Sequence, residues 1–476
     1  MHVVGVLTAI LHIAPREFNM STRPLWAHQQ RSIDFCTSNK CVFDQSDPGT
    51  GKTRVHIEVI RRQLRELPVG SKALVVAPKS LLQCAWGNDI AAYAPELRVS
   101  IAYAHNRREA FEQTADVYVT NTDAVNWLAA QKPKFFAQFK ILIVDESTAF
   151  KHHTSQRSKN LFKIAKYFDR RHLLTGTPIS NGLLNIWHQV KCIDLGERLG
   201  TSFTRFRQSV AAPIHDKGPM FPPTWVVKEG MTEVIAEMIK DISIRHVFEE
   251  CLDIPPNHTN IVTFTLPPAS MRAYKLMRKT QMAVIGTDIV NAVNAASATT
   301  KLLQIASGAV YNENGEIVSV DTARYELVAD LAEARQHTVV FFLWRHQRDA
   351  LAQAFAARGL TYAIIDGDTK DVEKIDAVRD YQAGEINVIL AHPQSAAHGL
   401  TLTRGTATIW ASPTSNLEWF LQGNRRIYRG GQTQRTETIV IQAEGTIETL
   451  VSQRLSAKQD EQFNLLAMVR EYFYGP

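Results

Sequence analysis

The residues best suited to chemistry begin at a pair of closely spaced glycines. In "DQSDPGTGKT", residues 44 to 53, Gly49 and Gly51 precede Lys52 and Thr53. A short apolar strand leads in and an amphipathic helix leads out, so backbone N–H groups and a helix N-terminus converge where a phosphate can be held. Gly49, Thr50 and Gly51 supply the turn and the close approach to the phosphates of a nucleotide such as ATP. Lys52 reaches its outer phosphates, and the Thr53 hydroxyl is expected to ligate Mg2+. The usual pattern opens with one more glycine, where this chain has Ser46. That is tolerable if position 46 does not demand a positive φ. A second stretch, "ILIVDES", ends a buried strand in adjacent acids. Asp145 is expected to hold Mg2+ through water, and Glu146 to polarise a water for in-line attack on phosphorus.

Two further stretches refine the chemistry. "HLLTGTPISN" sets Thr175, Gly176 and Thr177 at a strand end, where the hydroxyls are expected to relay the phosphate state to the chain beyond. Thr and Gly at such a place also serve plain turns. "QGNRRIYRGGQ", 422 to 432, holds Arg425, Arg426 and Arg429 and no acid. Arginines three apart share a helical face, so Arg426 and Arg429 are expected to point at one target. Alone they read as a solvated basic face. Beside a phosphate loop that has no arginine-rich segment of its own, they read as arginine fingers from a second lobe.

These groups need elements to hold them. Short apolar runs alternate with amphipathic stretches in two blocks, the pattern of parallel sheets with crossover helices. The first block has "CVFD", "ALVVAP", "VYVTN", "ILIVDE" and "HLLTGT"; the second has "TVVFFL", "YAIIDG", "NVILA", "ATIWA" and "TIVIQA". Between them, helical periodicity and a hairpin turning at Asn314 and Gly315 predict a mostly helical insertion over 198 to 320. The expected division is an N-terminal extension over 1–20, an α/β lobe over 21–197, the insertion, and a second α/β lobe over 321–476.

At 476 residues, 45% hydrophobic and 21% charged, the chain reads as an ordinary globular protein of two or three domains. A formal charge of +6 permits a polyanionic partner without requiring one. Five scattered cysteines lack metal-ligand spacing and are expected to be thiols in a reducing compartment. The most apolar run, "VVGVLTAILHIA", is shorter than the ~20 residues of a membrane helix and lacks the flanks of a secretory signal. A soluble cytoplasmic protein without a membrane partner is expected. Residues 1 to 19 precede Met20 and the recognisable pattern, as an added strand or an over-long start.

The order of motifs resembles that of the Swi/Snf-type DNA-dependent ATPases of helicase superfamily two, from about Arg23 to about Leu466. "LWAHQQRSIDF" resembles the adenine-reading segment, with Gln29 as its glutamine, and "DQSDPGTGKT" resembles motif I, where the family does not require the first glycine. "LVVAPKSLLQCAW", "VDES", "LLTGTPISN", "SAAHGLTL" and "QGNRRIYRGGQ" resemble motifs Ia, II, III, V and VI. Arg245, Pro255, Pro256 and "KLLQIASG" resemble insertion landmarks, and "GTIETLVSQRLSAKQ" a closing brace. Ser147 and Thr148, and Tyr428, depart from the family's usual residues.

The resemblance implies two RecA-like parallel-sheet lobes in tandem, with ATP and Mg2+ between them. It also implies a nearly motor-only translocase or helicase acting on duplex or forked DNA without reading its sequence. Strand-end groups would grip the backbone: Pro78, Lys79, Ser80 and Thr120 in the first lobe, and Gly367, Thr369, Ser395, Gly399 and Thr401 in the second. A monomeric motor with replication or recombination partners is expected. Alternatives are an RNA helicase, a nucleotide-gated scaffold and, more remotely, a phosphate-loop kinase, which would leave the second lobe unexplained.

Overall fold

The computed structural model describes residues 24–179, 182–215, 222–251, 254–285, 288–291, 295–396 and 400–460. The extension over 1–20, Gly399 and residues 461–476 of the expected second lobe lie outside these residues, whereas the closing brace "GTIETLVSQRLSAKQ" lies within them.

The first lobe is built on a parallel sheet. Its strands are β1 (Cys41–Asp44), β2 (Lys72–Ala77), β3 (Val99–Ala102), β4 (Val117–Asn121), β5 (Phe139–Val144) and β6 (Arg170–Leu174). Successive residues point to opposite faces. Leu74, Val76, Leu142 and Val144 therefore pack on one side against helices Gln156–Ala165 and Ile186–Asp194. Val75, Ala77, Ile141 and Ile143 pack on the other side against helix Lys52–Glu66 and the helical segment 82–93. Coverage on both faces explains the unbroken apolar runs.

Residues 198–320 differ from the expectation of a mostly helical insertion. They hold helices Phe203–Val210, Met231–Ile239, Pro268–Thr280 and Ala295–Ala306. They also hold β7 (Ala211–Ile214), β8 (Thr224–Val227), β9 (Ser243–Ile244), β10 (Asn257–Phe264), β11 (Met282–Ile285), β12 (Asp288–Asn291), β13 (Ala309–Tyr311) and β14 (Ile317–Ser319). Among the described residues three antiparallel strand pairs form, β7–β8, β11–β12 and β13–β14; the last is a hairpin that turns where expected, with Gly315 at φ +80°. The other two strands extend the large sheets. β9 pairs with β1, and β10 with the far strand of the second lobe.

That second sheet has β15 (Thr338–Phe341), β16 (Tyr362–Ile365), β17 (Val388–Ala391), β18 (Ala407–Trp410) and β19 (Thr436–Ala443), in the order β10-β19-β18-β15-β17-β16, all parallel. The first sheet runs β3-β4-β2-β5-β6-β1-β9. The fold is thus α/β, with the two parallel-sheet lobes expected.

A fully buried arginine ties the second lobe to its neighbours. Arg324 donates through Nη1 to the Ala411 carbonyl at 2.6 Å, and through Nη2 to the Ala306 carbonyl and Glu448 Oε2, each at 2.7 Å. Ala306 ends the insertion's last helix and Glu448 opens the helical run 448–460. Among the described residues, no helix is long and apolar enough to cross a membrane.

Candidate functional site

The carboxyl ends of β1, β5 and β6 lie side by side, with Asp44 in register with Leu174 and Val144 with Leu173. Ligands of parallel sheets bind at this edge. The chain leaving β1 curls through Gly49 (φ +91°) and Gly51 (φ +83°) into helix Lys52–Glu66. Glycine is needed twice over. A Cβ on Gly49 would stand 2.7 Å from the Phe248 ring, and one on Gly51 would stand 2.2 Å from Gln29 Nε2. Lys52 Nζ lies inside the curl, donating to the carbonyls of Ser46 at 2.6 Å and Asp47 at 3.2 Å. Thr50 is held by its carbonyl, which meets His28 Nε2 at 2.9 Å and accepts from Gln29 Nε2 at 3.4 Å.

Ser46 is not among the residues with positive φ, and its side chain has a task that a glycine could not perform. Its hydroxyl accepts the His246 N–H at 3.1 Å. The strap behind β9 fastens the loop further: Asp47 N donates to the His246 carbonyl, Arg245 Nη1 to Asp47 Oδ1 at 2.9 Å, and Phe248 N to Asp47 Oδ2 at 3.1 Å. By sequence resemblance Arg245 is only an insertion landmark. The pairing of this strap with the loop spans about two hundred residues and left no local signal.

Asp145 and Glu146 follow β5. Asp145 Oδ1 accepts the Glu146 N–H and Oδ2 accepts the Trp86 indole N–H, each at 3.0 Å. Burial raises the Asp145 carboxyl above its ordinary value, against the Trp86 hydrogen bond and the Lys52 charge. Glu146 is left-handed at φ +52°, a strained state for a non-glycine residue. Burial, then the Asp145 and Glu418 carboxylates, push its carboxyl up. Among the described residues its Oε2 is buried without a hydrogen-bond partner.

Residues 175–177 sit against the same edge. Thr175 N donates to the Asp44 carbonyl at 2.9 Å and Thr175 Oγ1 accepts Thr177 N at 3.0 Å. A Cβ on Gly176 would stand 2.6 Å from Pro48 Cδ, so this turn and the phosphate loop are in van der Waals contact. The departure at Ser147 is explained by a relay: its hydroxyl donates to Gln189 Oε1 at 2.8 Å, and Gln189 Nε2 donates to the Pro178 carbonyl at 2.8 Å. Thr148 donates to Glu418 of the second lobe at 3.1 Å.

The second lobe closes the site. Arg426 and Arg429 lie beyond the end of helix Leu417–Asn424, which corrects the expectation that they share a helical face. They converge because both donate to the Leu400 carbonyl, at 3.3 Å and 3.0 Å. Burial, then Arg429, lower Arg426 to about 9, while Glu146 opposes the shift. Arg425, given no separate role in the sequence reading, pairs with Glu249 at 2.9 Å and approaches Asp47 at 3.8 Å, stacked on Phe248 and Tyr428. A cavity of about 460 Å³ results. Gln29, Gly49, Gly51, Lys52, Thr53, Asp145 and Glu146 line it from the first lobe, and Thr401, Arg426 and Arg429 from the second.

The expected backbone-gripping residues fare unequally. Lys79 and Ser80 are exposed after β2, with Pro78 half-buried beside them, and Gly367 is exposed after β16. Ser395 is half-buried after β17. Thr120 is a correction: it lies within β4, fully buried, its hydroxyl donating to the Ala102 carbonyl at 2.8 Å. Thr401 faces the interlobe cavity, and the Thr369 hydroxyl is spent on its own turn, accepting from Asp366 N at 2.9 Å.

Comparison with known proteins identifies the family. The family description "SNF2-related domain" matches residues 28–308, and "Helicase conserved C-terminal domain" matches 322–431. The chain is 27% identical over 445 residues to putative protein p41 of Acyrthosiphon pisum secondary endosymbiont phage 1, covering 89% of this chain and 93% of that protein. It is 24% identical over 427 residues to the mouse DNA annealing helicase and endonuclease ZRANB3, covering 86% of this chain but 38% of that protein. A solved structure of the Sulfolobus solfataricus SWI2/SNF2 ATPase core in complex with dsDNA aligns at 18% identity and a TM-score of 0.43, over 94% of this chain and 97% of that one. Since the first match alone spans more than half of its length, the chain belongs to the SNF2-related family and is an ATP hydrolase with helicase-type lobes.

Proposed function

We propose that this ATP hydrolase couples turnover to movement along, or remodelling of, duplex or forked DNA. The observation that carries the reading is the composition of the cavity. Lys52, Asp145 and Glu146 come from one lobe and Arg426 and Arg429 from the other, so a nucleotide that gathers them draws the lobes together. Lobes that close on ATP and open after hydrolysis can grip a backbone in turn at Lys79 and Ser80 on one side and at Gly367 and Ser395 on the other. The names of relatives that are DNA helicases point to DNA as the polymer.

In this reading Lys52 neutralises the outer phosphates and the glycine-shaped curl offers its N–H groups to them. Gln29 lies where the base is read. Glu146, with its unpartnered buried oxygen, accepts the proton of the attacking water, and the arginines offset the charge that develops on the transferred phosphoryl group. Thr53 and Asp145 line one wall and suit Mg2+, which when bound supplies positive charge to the phosphate oxygens. Thr175, Gly176 and Thr177 touch the loop and carry its state towards Pro178 and Gln189. The chain works as a monomer, with lobes over 21–197 and 321–476.

The test is the ATPase rate measured side by side without polymer and with single-stranded DNA, duplex DNA, forked DNA and RNA. Duplex or forked DNA should stimulate most. Stimulation by RNA alone would make the protein an RNA helicase, and an unchanged rate with every polymer would end the motor reading.

A further inference from the structure

The segment after β2 carries two side-chain stripes with different neighbours. Leu82, Trp86 and Ile90 are buried in the core on the sheet's face, while Leu81, Ala85, Asp89 and Tyr93 line the interlobe cavity. Both stripes repeat every four residues. A strict four-residue repeat outruns the α-helical turn of about 3.6 residues and would spiral off either surface. Here residues Leu82–Gly87 form a π-helical turn, which is wider and takes up the difference before helix Asn88–Tyr93 begins. The turn is packed tightly, since a Cβ on Gly87 would stand 2.8 Å from Ile101 Cδ1.

This geometry fixes the Trp86 ring in a close-packed wall and aims its single donor at Asp145 Oδ2, 3.0 Å away. Asp145 Oδ1 is fixed by the Glu146 N–H. Two donors on two oxygens set the plane of the carboxylate and leave its remaining lone pairs to the cavity that Asp145 lines. The same segment begins at the exposed Lys79 and Ser80, so one rigid piece touches the outer surface, the nucleotide cavity and the carboxylate.

We propose that Trp86 is a positioning residue for the reaction, holding Asp145 in the orientation that binds the divalent cation accompanying ATP. This rests on the reading of Asp145 as the metal-holding carboxylate. Partners that orient a metal ligand contribute about 10- to 100-fold to metal affinity or activity.

The test measures binding of a fluorescent ADP analogue to the full chain as Mg2+ is added, for the wild type, Asp145→Asn, Trp86→Phe and Leu82→Val. Asp145→Asn should lose the Mg2+-dependent gain in affinity. Trp86→Phe keeps an aromatic ring but no donor, and should need about 10- to 100-fold more Mg2+ for the half-maximal gain. Its affinity in EDTA should stay within about two-fold of wild type, and in turnover kcat should fall while KM for ATP holds. Leu82→Val thins the same packed stripe without touching a donor; it should unfold at lower temperature with an unshifted Mg2+ half-point. A normal half-point in Trp86→Phe, or an equal shift in Leu82→Val, overturns the role of the indole. An undiminished gain in Asp145→Asn overturns the reading of Asp145 itself, and this inference with it.

Discussion

Replacing Arg429 by alanine separates catalysis from architecture, because its structural share is small. Among the described residues its side chain makes one hydrogen bond to protein, Nη1 to the Leu400 carbonyl at 3.0 Å, and that carbonyl still accepts from Arg426 Nη1 at 3.3 Å when Arg429 is gone. No acceptor is stranded, so the stability cost is that of one charge-assisted bond, about 1.5 to 3 kcal/mol, or several degrees in unfolding temperature for the lobe. The catalytic cost is larger. An arginine finger acts on charge that appears only in the transition state, and its loss lowers kcat by about 10³-fold, which is about 4 kcal/mol. ATP affinity and DNA affinity should stay within a few-fold. The assay is the ATPase rate at saturating DNA, with nucleotide and DNA binding measured separately. If turnover at saturating DNA is normal while DNA affinity falls steeply, the arginine contacts the nucleic-acid backbone and the cleft arrangement of the site is wrong.

Lys52→Ala should abolish polymer-stimulated hydrolysis, whereas Glu146→Gln should bind ATP and stop turning over; near-normal rates in both would remove the site assignment. Since burial and neighbouring carboxylates raise the Glu146 carboxyl, the folded state takes up a proton there that the unfolded state lacks above its ordinary carboxylate value. Stability is therefore lost as pH rises towards the raised value, and thermal unfolding should find Glu146→Gln gaining on wild type from pH 5 to pH 8. Ser46→Gly restores the commoner loop residue, yet should lower the unfolding temperature without improving KM for ATP, because the His246 N–H loses its acceptor. Arg324→Ala should destabilise by about 3 to 5 kcal/mol in denaturant unfolding, since Glu448 is left buried without its partner.

Much of the molecule was legible because its signals are local. Parallel strands buried on both faces announce themselves as apolar runs, and a phosphate loop is a contiguous string. Strands without such a run escape: β3 has four residues with alternating burial, the edge strand β10 ("NHTNIVTF") is mostly exposed, and β7, β8, β9, β11 and β12 have only two to four residues each. Thr120 shows that the last residues of a strand are not always its rim, since position 120 still pairs across the ladder with Ala102. The strap over 243–251, the Gln189 relay and the Trp86 donor depend on contacts between segments distant in sequence, which no spacing rule encodes. Gln189 alone left a trace, as an amide on a helix whose neighbours Ile186 and Val190 are buried apolar residues.

Displacement of a triplex-forming strand from a long duplex, followed in time, tests most directly the claim that hydrolysis across the two-lobed cavity drives movement. Wild-type protein with ATP should strip the third strand at a rate that scales with hydrolysis, while Glu146→Gln and Arg429→Ala should leave it in place although both bind DNA. DNA-stimulated hydrolysis with no displacement by the wild type would contradict the account.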